Sequence, residues 1–123
     1  MYDGVYESNS NYNVNNGFAK MYVRINGYDE FTIYIRSYGE SSYDYTLAFN
    51  PDVDVTSNPS TSTSGVKAHT SRNQQSGQAI GNYTKVTYTN LASEDHFICI
   101  VYRKDGSVNN GNDRGYVLIP KEQ

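Results

Sequence analysis

Two histidines, His69 and His96, and one cysteine, Cys99, are the residues of this 123-residue chain on which nucleophilic or general-base chemistry would rest. A Ser/His/Asp or Cys/His hydrolase needs a nucleophile within hydrogen-bond reach of a base that a third group orients. His96 follows Asp95 at the entry to an apolar run, where an Asp-His pair reads as a polar strand start. Cys99 alternates with Phe97 and Val101, a spacing that assigns it to a core face, whereas a reactive thiol needs a polar, exposed setting. The Gly-x-Ser-x-Gly elbow is absent. A glycosidase would need two carboxylates flanking a cleft. Asp29, Glu30, Asp52, Asp54, Glu94, Asp95, Asp105 and Asp113 lie mostly in turn-forming stretches, and turn chemistry accounts for them. The chain is therefore expected not to be an enzyme.

Metal chemistry has one candidate. Asp105, Ser107, Asn109 and Asp113 of DGSVNNGND offer oxygen ligands in the manner of a calcium loop. The glycine falls at the seventh position instead of the sixth, and Tyr116 stands where the bidentate Glu belongs, so the segment reads as an Asn/Gly loop. No His/Cys cluster points to zinc or iron, and no Gly-rich turn leads from a strand into a helix to cradle a phosphate. No metal or cofactor is expected. Asn82-Tyr83-Thr84 matches a glycosylation acceptor, a triplet that an Asn-rich chain also produces by chance.

Binding chemistry has more material. Thirteen Tyr accompany 14 Asn and 13 Ser, with no Trp. Tyr supplies a large, stiff, amphipathic surface and Asn and Ser supply adaptable hydrogen bonds, a mixture suited to glycans or proteins. Two sets of ligand-contacting residues follow. The first is a row of Tyr22, Arg24, Tyr34, Arg36 and Tyr38, expected on an exposed sheet face, where rings can stack on sugars and guanidinium groups can fork onto carboxylates or hydroxyls. The second is the polar stretch VKAHTSRNQQ, with His69, Arg72, Asn73 and Gln74, on a connection of the kind that carries binding residues. Each has a plainer reading: Tyr is a good strand former, and a polar connection satisfies its own backbone.

The elements that would position these groups are strands. In FAKMYVRIN, Ala19, Met21, Val23 and Ile25 share one face, while Lys20, Tyr22 and Arg24 share the other; EFTIYIRSY sets Phe31, Ile33 and Ile35 against Thr32, Tyr34 and Arg36. A hairpin with a five-residue loop, Asn26 to Glu30, would place Ile25 opposite Phe31 and Val23 opposite Ile33. YDYTLAF is a third strand after a turn at Gly39 to Ser42. NPDVDVTSNPSTSTSG is a long connection with room for a short edge strand at Asp52 to Thr56. VKAHT, YTKVTYT, HFICIVYR and RGYVLIP complete the set, with SRNQQSGQAIGN as a polar loop or single helical turn. The pattern predicts one all-β domain over residues 1–123, a two-layer antiparallel β-sandwich of jelly-roll or immunoglobulin-like type with about seven or eight strands.

Composition sets limits on partners. Ten Lys plus Arg against 13 Asp plus Glu give a net charge of -3 with no dense basic run, so nucleic acid is not an expected partner. Mean hydropathy is -0.71, yet 17 aromatic side chains, 13 Tyr and 4 Phe, supply the bulk a core needs. One cysteine permits no intramolecular disulfide. MYDGVYESNSNYNVNNG reads neither as a signal peptide nor as a membrane span, and no membrane insertion is expected.

The stretches FTIYIRSYGESSYDYTLAF, VKAHTSRNQQSGQAIGNYTKVTYT and IVYRKDGSVNNGNDRGYVLIP resemble a domain of modular proteins from gut Bacteroidales and their crAss-like tailed phages. The resemblance covers about residues 12–120 and is most specific at Tyr34 to Tyr45, Lys67 to Gln75 and Asp113 to Pro120. It implies a fibre, tail or decoration module of a virion or an extracellular, cell-surface protein, and brings no catalytic residues with it. The expected function is non-enzymatic binding or adhesion, with a surface glycan or glycoprotein as partner. The alternative is a purely structural capsid-decoration or fibre-assembly module that contacts other virion proteins or further copies of itself.

Overall fold

The computed structural model describes residues 2–7, 17–38, 45–70, 80–91, 94–104, 114–121 and 123. Its strands are β1 (Tyr2–Glu7), β2 (Phe18–Ile25), β3 (Glu30–Tyr38), β4 (Tyr45–Phe49), β5 (Val66–His69), β6 (Thr84–Thr89), β7 (His96–Arg103) and β8 (Arg114–Pro120), with one 3-10 turn at Ile80–Asn82. β-Branched and aromatic residues fill these segments, and they pack well on a pleated, half-buried surface.

β1 pairs with β8, β2 with β7, β3 with β6 and β4 with β5, all antiparallel. The chain is thus one long antiparallel ribbon doubled back at the β4–β5 connection. Further pairing of β3 with β8 and of β4 with β7 rolls that ribbon into two four-stranded sheets, β1-β8-β3-β6 and β2-β7-β4-β5. Of the two sandwich types expected, this is the jelly roll.

Between the sheets, Phe31, Ile33, Ile35, Val86, Tyr88 and Val117 meet Val23, Ile25, Ala48, Ile98 and Ile100. These are the alternate positions of each strand, as period-2 patterning requires. Tyr88 spans the layers, its hydroxyl donating to the Phe49 carbonyl at 2.8 Å. Burial, with a smaller contribution from Cys99, pushes this phenol above its ordinary value. Three buried hydroxyls tie the sheets elsewhere in the interior. Ser37 Oγ lies 2.9 Å from Thr46 Oγ1 and 2.5 Å from Thr70 Oγ1. Thr46 Oγ1 donates to the Arg36 carbonyl at 3.0 Å, and the Thr46 amide donates to Thr70 Oγ1 at 3.1 Å.

Several expectations change. The β2–β3 hairpin does not form: Ile25 lies opposite His96 and Val23 opposite Ile98, while Phe31 and Ile33 lie opposite Tyr88 and Val86. Both strands carry an apolar face that needs the same core. Facing sheets let those faces meet across it, whereas a hairpin only sets them side by side. Residues 26–29 make the crossing, with Gly27 at φ +84° and Tyr28 edge-on to Phe31 at 5.3 Å. Asp52 to Thr56 is a turn followed by irregular chain, not an edge strand. β1 has no counterpart in the alternation pattern, because its place comes from pairing with β8, with a register shift between Tyr2 and Gly4. Tyr43, Asp44, the Gly39–Ser42 turn and residues 105–113, which include the calcium-like loop, lie outside the described residues.

Candidate functional site

Antiparallel partners share a face, so the register gives the outward side of the β2-β7-β4-β5 sheet directly. Phe18, Arg103 and Tyr45 form one row across it. Lys20, Val101, Leu47 and His69 form the next; Tyr22 then lies beside Cys99, and Arg24 beside Phe97.

The middle of this face is covered. The connection from Asn50 to Gly65 folds back over it, and Val53 and Val55 pack on Leu47, Phe49, Cys99 and Val101, a second apolar cluster outside the main core. Cys99 is buried, as its alternation implied, but it lies under this strap and not between the sheets. Burial, with the nearby Asp54 charge, pushes its thiol above the ordinary value.

Two aspartates fasten the strap. The Asp52 amide donates to the Phe97 carbonyl at 2.8 Å, while its carboxylate accepts from the Phe97 amide at 3.1 Å and from His96 Nδ1 at 2.7 Å. These bonds hold Asp52 at φ +65°, in the left-handed region, where Asp is among the side chains best tolerated. Asp54 accepts from the Tyr22 hydroxyl at 2.6 Å, from the Val55 amide at 2.7 Å and from Lys20 Nζ at 3.3 Å. Lys20 Nζ also donates to the Val55 carbonyl. His96 is therefore oriented by Asp52, 44 residues away, and not by neighbouring Asp95, which accepts from Asn26. Among the described residues His96 has this one hydrogen-bond partner, so no hydroxyl or thiol completes a nucleophile-base pair there.

The His96 hydrogen bond, then the Phe97 amide, hold the Asp52 carboxyl below its ordinary value. A depressed folded-state pKa contributes stability that is present above the unfolded value and is lost as pH falls through the folded one. Wild type should thus melt above Asp52→Asn at neutral pH, and the gap should close as pH falls below about 4. The contribution is small because the group is nearly exposed. A gap that stayed constant down to about pH 2 in thermal melts would show that this carboxylate does not fasten the strap.

The expected five-residue row does not exist as one surface. Tyr22 and Arg24 are exposed on the outside of the β2-β7-β4-β5 sheet, whereas Tyr34, Arg36 and Tyr38 face outward from the opposite sheet, because β2 and β3 belong to different layers. Arg36 is also buried, at 2% exposure, with its guanidinium 5.8, 5.9 and 5.5 Å from the rings of Tyr38, Tyr83 and Tyr116. Its guanidinium is thus engaged with aromatic rings of its own sheet and does not stand exposed as the row predicted. Tyr34 and Tyr38 are half-buried around it. His69 is exposed, and its ring meets that of Tyr45 edge-on at 5.7 Å. Arg72, Asn73 and Gln74 lie outside the described residues.

Tyr22 stands out among the exposed side chains. Its ring is 44% exposed, yet it is held at two points, edge-on against Phe97 at 5.8 Å and through its hydroxyl on Asp54. Phe18, Tyr45, Phe97 and Arg103 were not read as site residues from the sequence, and Asp52 and Asp54 were assigned there to turn chemistry. The signal was present in HFICIVYR, whose unbroken apolar run marks a strand buried on both sides and hence something covering the outer one. Among the described residues no three His, Cys, Asp or Glu side chains could share a metal ion. Comparison with protein-family models, curated proteins and solved structures found no match for the chain.

Proposed function

We propose that this domain is a non-enzymatic binding module of a phage particle or bacterial surface protein, and that it recognises a carbohydrate or glycoprotein through the outer face of the β2-β7-β4-β5 sheet. The observation that carries this reading is Tyr22, an exposed ring fixed in place by Phe97 and Asp54, with Arg24 two residues along on the same face of β2. A ring that is already immobilised loses little entropy when a sugar stacks on it, and Arg24 adds hydrogen-bond donors without an ion-pair partner among the described residues. The sequence resemblance to virion and surface modules supports the setting.

An array of neutral and acidic oligosaccharides tests it. Tyr22→Ala and Arg24→Ala should each weaken binding by roughly 1–3 kcal/mol, and Arg24→Ala should change thermal stability by no more than about 0.5 kcal/mol. Absence of any glycan signal, together with concentration-dependent self-association, would replace this reading with an assembly role.

A further inference from the structure

The crossing from β2 to β3 begins with Asn26-Gly27, a pair in which the side chain of one residue can react with the backbone of the next. Both residues are exposed. Gly27 stands at φ +84°, and a Cβ built there would meet nothing within 4 Å, so neither a side chain of its own nor a neighbour on that side crowds its backbone nitrogen. That nitrogen is open to approach. The Asn26 carboxamide donates from Nδ2 to the carboxylate of Asp95, which is exposed as well and lies one step beyond the Ile25–His96 pair in the β2–β7 register. A single bond between two exposed groups does not lock the side chain, because water competes for both partners.

We propose that Asn26 is a modification site at which the folded chain deamidates itself, with water as the co-reactant and aspartate and isoaspartate as the products, and that the change loosens the crossing between the sheets. The Gly27 nitrogen loses its proton to base in the solvent and attacks Asn26 Cγ; the Cγ–Nδ2 bond breaks, the nitrogen leaves as ammonia, and a five-membered succinimide closes. Water then opens the ring. Addition at Cγ restores the ordinary backbone and leaves aspartate, whereas addition at the main-chain carbonyl carbon routes the backbone through Cγ and leaves isoaspartate. One water enters, one ammonia departs, and nothing is oxidised or reduced. Either product turns the carboxamide that donates to Asp95 into a carboxylate, so a hydrogen bond becomes a like-charge pair. Isoaspartate also adds the Cβ to the main chain of a crossing that is held at its far end by the Leu91 amide on the Asp29 carbonyl at 3.3 Å and by Tyr28 against Phe31. The new charge stands two residues from Arg24, at the rim of the face that carries Tyr22.

The test ages the full chain in mildly alkaline buffer, native in one sample and unfolded in guanidinium chloride in another, and follows tryptic peptides by chromatography and mass spectrometry. Cleavage after Arg24 and Arg36 isolates Asn26 as the one asparagine of INGYDEFTIYIR, apart from Asn16-Gly17 and Asn110-Gly111, whose asparagines lie outside the described residues. In the native sample this peptide should gain the mass of an NH-to-O exchange and split into aspartate and isoaspartate forms, at a rate comparable with that of the unfolded sample. The aged protein should also melt at a lower temperature than the fresh one. Gly27→Ala should lose the conversion, since a methyl group crowds the attacking nitrogen. Should that variant fail to fold because of the positive φ, Asn26→Gln decides: it keeps a carboxamide for Asp95 but cannot close the five-membered ring, so both the conversion and the ageing-dependent fall in melting temperature should be absent. A native peptide that converts at a small fraction of the unfolded rate would overturn the site, by showing that the fold protects Asn26. A melting temperature that falls equally in wild type and Asn26→Gln, or does not fall when Asn26 has converted, would overturn the effect on the crossing.

Discussion

Phe49→Ala should destabilise the protein by about 3–5 kcal/mol and make Cys99 react with a thiol reagent while the chain is still folded. Phe49 has no exposed surface, although its side chain is not in the core between the sheets. It packs outward with Leu47, Val55, Cys99 and Val101 beneath the strap. Deleting its ring leaves a void that the strap cannot easily fill, because Asp52 and Asp54 fasten it to β7 and β2. In wild type, burial both shields Cys99 and disfavours its thiolate, so labelling should await unfolding. The two readouts are chemical denaturation and the rate of labelling without denaturant. Destabilisation under about 1 kcal/mol, or fast labelling of the wild-type protein, would mean the strap does not cover this cluster.

Much of the architecture was legible because the core is written in period 2. β3 faces the core as the alternation predicts, with Ile33 and Ile35 on successive inward positions, and β7 and β8 occupy their expected segments. In β7, however, it is Ile98 and Ile100 that face the core between the sheets, while the Cys99 and Val101 face, read as the core face, lies under the strap. The sheet assignment of neighbouring strands was not legible. A short loop such as residues 26–29 suits either a hairpin or a crossing, and only the demand that both apolar faces share one core decides between them. The split of the tyrosine row follows from that single choice, with Tyr22 going to one side of the sandwich and Tyr34 to the other. Arg36 shows a different limit. Its alternation correctly turns it away from the main core, but three tyrosine rings gathered from β3, β8 and the turn before β6 bury it anyway. Outward is not the same as exposed when a sheet carries many large rings. The strap was hidden for the same reason: nothing in the spacing of Val53 and Val55 names the strand they will cover.

Gly115→Ala should lower stability by at least about 2 kcal/mol, although alanine is usually the more favourable residue in the unfolded-state balance. Gly115 is not among the residues with positive φ, so an alanine carries no backbone strain there. The obstacle is space. A Cβ at this position would stand 2.7 Å from Tyr102 Cβ, 2.8 Å from Thr46 Oγ1 and 3.0 Å from Tyr102 Cδ1. Tyr102 Cβ is fixed by its own backbone, and Thr46 Oγ1 is committed to the Arg36 carbonyl and to Ser37. Relieving the clash therefore means moving β8 away from β7 or pulling Thr46 out of the hydroxyl clasp that joins the sheets, and the second leaves buried polar groups unsatisfied. A double-mutant cycle separates the two. Thr46→Ala removes the hydroxyl that the new methyl group would strike, so Gly115→Ala should be less destabilising on that background by about 0.5–1 kcal/mol or more. Strict additivity would place the whole clash on Tyr102, and a neutral Gly115→Ala would show that the sheets are further apart at this point than 2.7 Å to Tyr102 Cβ allows.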